Sequence, residues 1–375
     1  MNSNIFLTGA TGLFGSALIE HYLHRESESI IYALVRADSP ERAAERLFAL
    51  LQSSPTWTPL LEREATRRVR VVQGDFTRPD FGLSLEQIAT LQKSVTNIIH
   101  SGASVDFGLP LEEARLINVQ GTQNVINFAS GCRSLEAFLH ISTGHVAGKR
   151  SGTIKEAELN TDQGFFNSYE QTKAESEALV HRYMNNLPIT IHRLTTVIGD
   201  KKTGHIRQFG FFHNSVRLLA QSILPFLAGE KDCHLDLIPT DYPVHSVYHL
   251  HRNNFKPGTT YHICSGPERS FTLEAFLNET VNHFRKDFNT DSIMPPEIIS
   301  QQEFKQRLSA SNNKRLIAIM GALNTFIGHL TLPKIFDASN SERDLAGSGI
   351  EPPHVTSYYF KVLDECIRRK FGKVQ

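Results

Sequence analysis

The sequence predicts an α/β protein, a doubly wound parallel sheet with a smaller, mostly helical lobe toward the C-terminus. Three observations predict it. Short β-rich runs alternate with helical patterns through the first half of the chain. A glycine-rich turn follows the first of these runs directly. After about residue 198 the alternation gives way to longer apolar stretches with little charge.

Asn4–Thr8 is a short apolar strand, and Leu13–His24 behind it carries apolar residues at helical spacing. Ile30–Val35 is the second strand, followed by a helix over Pro40–Gln52 rich in Ala, Glu and Arg. Val69–Val72 and Ile98–His100 mark the third and fourth strands, Leu111–Ala129 a helix and Ala137–Ile141 the fifth strand. A helix over Ser168–Asn185 leads to a sixth strand, Ile189–Leu194. Such alternation needs crossover connections, which cover both faces of a parallel sheet. Farther on, Phe209–Leu227 reads as an apolar helix, Leu235–Pro239 and Thr260–Cys264 as strands, and Phe271–Phe288 and Val355–Lys370 as helices. Leu316–Leu332 is an apolar run that suits a buried helix or a lid.

Composition narrows the function classes. Of 375 residues, 39 are basic and 39 acidic, so no global field draws in nucleic acid or a membrane surface. No apolar run reaches the ~18 residues of a transmembrane helix, and Met1–Leu7 lacks the basic start of a signal peptide. Four scattered cysteines with no CxxC pair read as reduced thiols. The expectation is a cytoplasmic protein with no nucleic-acid partner and no transmembrane segment.

Thr8-Gly9-Ala10-Thr11-Gly12-Leu13-Phe14-Gly15 stands between the first strand and its helix. Gly9 suits a tight turn, Gly12 a close approach of backbone to a pyrophosphate, and Gly15 close packing of helix on strand. The helix N-terminus supplies free N–H groups. This is a dinucleotide site of Rossmann type. Residues 1–200 are therefore expected to be the cofactor domain, its sheet completed by segments around 235–265, and residues 201–375 a partly interleaved substrate lobe. The second strand ends at Leu34-Val35-Arg36, and an Arg there suits a ribose 2′-phosphate, favouring NADPH; Asp38 keeps NADH as the minor alternative.

Ser168-Tyr169-Glu170-Gln171-Thr172-Lys173 opens a helix, and the i, i+4 spacing puts Tyr169 and Lys173 on one face. An ammonium nearby is expected to lower the phenol pKa from its usual ~10 toward the working range. Ile141-Ser142-Thr143 ends the fifth strand, where a parallel sheet presents catalytic side chains, so Thr143 could bond the same substrate oxygen as Tyr169.

With these residues the chain resembles the extended short-chain dehydrogenase/reductase superfamily: TGATGLFG at 8–15, GD at 74–75, NVQGT at 118–122, ISTGHVAG at 141–148 and YEQTK at 169–173. LVRADSPERAAERL (34–47), GDFTRPDFGLS (74–84), RLTTVIGDKKTG (193–204) and DLIPTDY (236–242) further resemble thioester reductases, namely fatty acyl-CoA reductases and the terminal reductase domains of carboxylic acid reductases and nonribosomal peptide synthetases. The resemblance implies catalysis by Thr143, Tyr169 and Lys173. It implies a cofactor lying along Gly9, Thr11, Gly12, Leu13, Phe14, Gly15, Arg36, Asp75, Phe76, Ser101, Gly102, Ala103, Asn118, Lys173, Thr196 and Val197, and no metal. Gly102 stands where many relatives have Ala or Asn, Leu194 follows Arg193 in place of Pro, and Thr240 replaces the usual Val.

The implied reaction is NADPH-dependent reduction of an acyl thioester, on coenzyme A or an acyl carrier protein, to an aldehyde; a second hydride transfer, which the sequence leaves open, would give the alcohol. Two alternatives use the same fold: an extended reductase, dehydrogenase or epimerase acting on a free carbonyl or nucleotide sugar, and a non-catalytic NADP-binding regulator, which would be expected to lose Tyr169 or Lys173. Phe209–Leu227, with Phe209, Phe211, Phe212, Leu218, Leu219 and Phe226, suits an acyl channel or a core helix. His245, His249 and His251 lack an HExxH pattern and read as structural. Basic clusters at Arg63, Arg67, Arg68 and Arg70, and at Arg368, Lys370 and Lys373, suit either a solvated face or an acidic carrier protein.

Overall fold

The structure, a computed structural model, describes residues 3–372, apart from the side chains at 322 and 324–326. Seven strands form the main sheet: β1 (Asn4–Thr8), β2 (Ile30–Val35), β3 (Val69–Gln73), β4 (Asn97–His100), β5 (Ala137–Thr143), β6 (Ile189–Leu194) and β7 (Thr260–Ile263). Their order is β7-β6-β5-β4-β1-β2-β3, and every pairing is parallel. The strand order reverses between β1 and β4, which opens a crevice at their C-terminal ends. Alternate residues of one strand feed opposite cores. Phe6 packs with Ile98, Phe138 and Ile191 on one face, while Ile5 and Leu7 pack with Ile99, Leu139 and Ile263 on the other.

A third core fills the C-terminal lobe, where helices Phe211–Ala220, Leu273–Phe288, Lys314–Leu330 and Tyr359–Arg368 bury Val216, Phe276, Ile327 and Val362 together. Two short parallel pairings stitch this lobe: Phe226–Ala228 with Glu297–Ile299, and Gly152–Ile154 with Lys334–Phe336. Among the described residues no helix is long and apolar enough to cross a membrane.

Several elements differ from the sequence expectation. The helix expected over Phe209–Leu227 runs only from Phe211 to Ala220, and Phe226–Ala228 turns into a strand. The strand expected over Leu235–Pro239 is two two-residue segments that pair with different partners, His234–Leu235 with Phe271–Thr272 and Leu237–Ile238 with Thr196–Val197. The helix expected from Phe271 therefore starts at Leu273. The helix expected to reach Asn185 ends at His181. Among the helices that lie outside the sequence expectation are Pro59–Arg68 and Leu85–Ser94. Each is polar, with a narrow inward stripe: Leu61 and Ala65 in one, Ile88 and Leu91 in the other.

Candidate active site

The turn after β1 is shaped by what a Cβ would meet. Gly9 has φ +70°, and a Cβ there would lie 2.6 Å from the Ser101 carbonyl oxygen. A Cβ on Gly15 would lie 2.2 Å from the Gly9 carbonyl oxygen. The helix Leu13–Arg25 starts from Gly12 with no side-chain cap, so its first N–H groups stay open toward the crevice. An uncapped helix start behind a turn that admits no side chain at Gly9 or Gly15 fits the pyrophosphate of a dinucleotide. Thr8 Oγ1 bonds His100 Nδ1 at 2.7 Å and accepts from the Gly102 N–H at 3.1 Å, which fixes the backbone of Ser101 and Gly102 beside the loop.

Gly102, one of the departures from the family pattern, has a physical reason. A Cβ there would lie 2.9 Å from the Phe76 ring, and one on Gly121 would lie 2.5 Å from it. Phe76 thus occupies space that glycine vacates on two sides. At the rim, the exposed Arg36 guanidinium lies 3.8 Å from the Asp75 carboxylate, whose Oδ1 accepts from the Thr77 N–H and hydroxyl. Asn118 sits on a π-helical turn, Leu116–Gln120, inside the rod expected as a single α-helix. The widened turn points its buried amide at the Ser104 backbone, accepting from N–H at 2.8 Å, and at Thr172 Oγ1. It ties the loop after β4 to the helix that carries Tyr169.

That helix, Ser168–His181, begins at Asn167, whose side chain accepts from the Glu170 N–H. Tyr169 therefore lies in the first turn and Lys173 one turn on. Thr143 ends β5, and its hydroxyl lies near enough to the Tyr169 phenol to act against the rise in that phenol's pKa. Lys173 Nζ donates to the Ile141 carbonyl at 2.9 Å. Farther along, Glu177 is fully buried. It accepts from Ser142 Oγ at 2.6 Å on β5 and from Arg193 Nε at 2.9 Å on β6, locking the helix to the sheet. Burial acts to raise the Glu177 carboxyl, but the Arg193 guanidinium, His181 and the Ser142 hydroxyl together outweigh it and hold the pKa at about 2.

The electrostatics correct one expectation. The Tyr169 phenol is not lowered by Lys173; burial pushes it up to about 12, and the Thr143 hydroxyl only partly offsets this. Burial also brings the Lys173 ammonium down to about 8, against the opposing pull of Glu177.

Beside the hydroxyl pair lies a largely apolar cavity between the two lobes. Phe107 stacks on Tyr169 with ring centroids 5.5 Å apart and lines the cavity, as does Gly144, next to Thr143. Phe211, Phe212 and Leu219 line it too, whereas Phe209, Leu218 and Phe226, expected with them, turn into the lobe core. Helix Lys314–Leu330 adds Leu323, Ile327 and Leu330, so the ambiguous apolar run is a helix with one face on this cavity. Thr196 lines the cavity and Val197 packs on the core behind β7.

One wall of the cavity escaped sequence reasoning. His145, Glu170 and His329 bring ligand-type atoms within 4.8 Å of one another, and Lys334 adjoins them. Glu170 stands in the tyrosine motif itself, but its partner His329 comes from 159 residues away, beyond any local signal.

The other candidates fall elsewhere. His251 is buried in the sheet core, bonded to Tyr22 and Asn97, and His245 packs on the His21 ring. Arg68 is not part of an exposed basic face. It is fully buried, donates to the Leu23 carbonyl at 2.7 Å and pairs with Glu64 at 3.0 Å. Arg368 is engaged by Glu365, and Lys373 lies outside the described residues.

The fold and this set of side chains define an extended short-chain dehydrogenase/reductase with an NAD(P)-binding site. Within that class the chain belongs to the NAD-binding male sterility protein family, whose pattern it matches over residues 7–247. A fatty acyl-CoA reductase of Drosophila melanogaster is 27% identical over 312 residues, covering 74% of this chain and 60% of the relative. An isonitrile lipopeptide synthase of Streptomyces coeruleorubidus is 27% identical over 377 aligned residues, covering 97% of this chain but 24% of the synthase. The chain thus spans less than two thirds of the length of these curated relatives. Among solved structures, the terminal R domain of the myxalamid biosynthetic pathway aligns with a TM-score of 0.81 at 26% identity, over 99% of this chain and 92% of that one.

Proposed function

We propose that this chain reduces the acyl group of a pantetheine thioester to an aldehyde, using NADPH. The observation that carries the reading is Tyr169, with Thr143 near its hydroxyl, beside a largely apolar cavity that Phe107 links to the tyrosine ring. The kinship with proteins named as fatty acyl-CoA reductases and terminal reductase domains supports the thioester as the substrate class.

The open N–H groups behind Gly12 would hold the pyrophosphate, Asp75 the adenosine end, and Lys173 the ribose. The bound dinucleotide supplies the hydride. Tyr169 donates its proton to the carbonyl oxygen as negative charge gathers there, and Thr143 gives a second hydrogen bond. Such donors contribute about 3–4 kcal/mol each in a preorganised site. A phenol with a pKa of about 12 stays protonated at neutral pH, which suits a donor. When the C–S bond breaks, the oxygen returns its proton to Tyr169. The sulfur leaves as a thiol with a proton from solvent, and the acyl carbon leaves as an aldehyde. The apolar walls keep water from the reacting carbon.

The pantetheine thiol is common to coenzyme A and acyl carrier proteins. The test presents octanoyl groups on each, with octanal as the free-carbonyl control, and follows nicotinamide absorbance together with thiol release. Oxidation that depends on thioester and releases thiol supports the reading. Oxidation with octanal alone sinks it. NADPH is preferred because Arg36, exposed at the rim, offers its guanidinium to a 2′-phosphate. Arg36→Ala should lower the NADPH-over-NADH ratio of kcat/KM by about tenfold or more, reflecting one lost charge-assisted bond; an unchanged ratio removes Arg36 from cofactor selection.

A further inference from the structure

The strand Lys334–Phe336 is inverted. Side chains alternate along a strand, so Lys334 and Phe336 share one face and Ile335 takes the other. A strand on a lobe surface should turn isoleucine inward and lysine outward. Here Lys334 and Phe336 line the apolar cavity, and Ile335 is 42% exposed. The arrangement gives up apolar burial and places an ammonium against phenylalanine and leucine side chains.

That ammonium lies over the Phe166 ring, 5.6 Å from its centroid, but its hydrogen bonding is incomplete. Nζ donates to the Leu332 carbonyl at 3.3 Å and lies 3.5 Å from His329 Nδ1, both long for an ammonium with three N–H bonds. Among the described residues no carboxylate forms an ion pair with it. The one acid close by, Glu170, is taken: it accepts from His329 Nε2 and Asn167 Nδ2, each at 2.6 Å, and from the Phe166 N–H. Burial lowers the lysine to about 8, so it remains mostly charged at neutral pH. His145 lines the cavity on the same wall, its ring 4.8 Å from that of His329. An ammonium beside His329 sets this wall for an oxygen acceptor rather than a cation.

We propose that Lys334, flanked by His145 and His329, recognises a carboxylate or carbonyl oxygen carried on the acyl chain, so that the cavity selects oxygen-bearing acyl groups over plain alkyl ones. The proposal rests on the cavity being the acyl site, as in the thioester reading above. An apolar chain fills the leucine and phenylalanine walls, and its oxygen completes the hydrogen bonding of Nζ. A plain alkyl chain of the same length leaves the ammonium dehydrated with its hydrogen bonding incomplete.

The test compares acyl-CoAs of matched length, each as the plain alkyl chain, the ω-carboxylate and the ω-amide, across a series of chain lengths. At the length that reaches Lys334, the oxygen-bearing chain should exceed the alkyl chain in kcat/KM by about tenfold or more. The two polar arms separate carboxylate from carbonyl recognition. Lys334→Met, with Lys334→Gln as a second variant, should bring that ratio close to unity. A ratio at or below unity at every length, or one that survives both substitutions, overturns the proposal. A second measurement needs no turnover: thermal shifts of the full chain with octanoate and with octanol. Stabilisation by octanoate that is lost in Lys334→Met upholds the recognition wall even if no thioester is reduced, a result that would remove the thioester reading alone. Equal shifts from the two ligands overturn the proposal.

Discussion

Burial keeps Tyr169 a phenol, which fits the donor role proposed for it. With a pKa of about 12 it cannot serve as a resident base at neutral pH, but it can donate to an oxyanion. Tyr169→Phe should cost about 10²–10³ in kcat, as loss of an oxyanion donor does, while a fluorescence titration still shows dinucleotide binding; retained turnover would remove Tyr169 from the chemistry. Lys173 gives two opposite pH readouts. Its folded pKa of about 8 lies below the ordinary 10.5 because burial disfavours the ammonium. As pH rises through about 8, the ammonium is lost and kcat/KM should fall roughly tenfold per unit. Over the same window, from about 8 to 10.5, the unfolded chain holds a proton that the folded chain has released, so this group's contribution to stability grows with pH. Activity that stays flat to pH 10 would assign the shift to another group.

The glycine loop and the helix that carries Tyr169 are tightly packed, for reasons that can be tested one atom at a time. A Cβ at Gly15 would sit 2.2 Å from the Gly9 carbonyl oxygen, with backbone on both sides and no flexible side chain to yield. Gly15→Ala should therefore cost about 1–3 kcal/mol in stability and weaken dinucleotide binding, measured by denaturant melts and titration; a variant as stable as the parent would mean the loop can move. These elements were legible in the sequence because their physics is local. Parallel strands buried on both faces read as short apolar runs, and Gly9 and Gly15 answer to a turn that admits no side chain at those two positions. The lobe was less legible because its short strands exist through distant pairing. His234–Leu235 and Leu237–Ile238 are two residues each and take their shape from partners at 271–272 and 196–197. The strand at 334–336 defeats pattern reading outright, since its lysine faces inward. The π-helical turn at Leu116–Gln120 is likewise silent in a sequence that keeps helical spacing, yet it is what aims Asn118 at Ser104 and Thr172. Thr143, Tyr169 and Lys173 could be named as candidates, but their pKa values could not, because burial sets them.

At the scale of the whole molecule, the histidines couple the lobes to pH. His100, His140, His145, His192, His251 and His329 are all held neutral, chiefly by burial, with His100, His145, His192 and His329 down at about 3. Below 6.5 the unfolded chain binds protons that the folded one refuses, so the stability these groups lend is complete above 6.5 and lost as pH falls toward about 3. Each costs about 1.4 kcal/mol per pH unit in that window, against a total stability of about 5–15 kcal/mol. Acid unfolding, followed by circular dichroism, should have its midpoint between roughly pH 5 and 6; a native spectrum at pH 4 would contradict this reading of the buried imidazoles. The central claim, reductive release of an acyl group by a tyrosine donor at an apolar cavity, is tested most directly by counting. Thiol released and NADPH consumed are measured together on octanoyl-CoA, for the parent chain and for Tyr169→Phe. The account predicts that thiol appears only with NADPH and in step with its oxidation, and that both stop in the variant. NADPH consumed without thiol, or undiminished release from Tyr169→Phe, would contradict it.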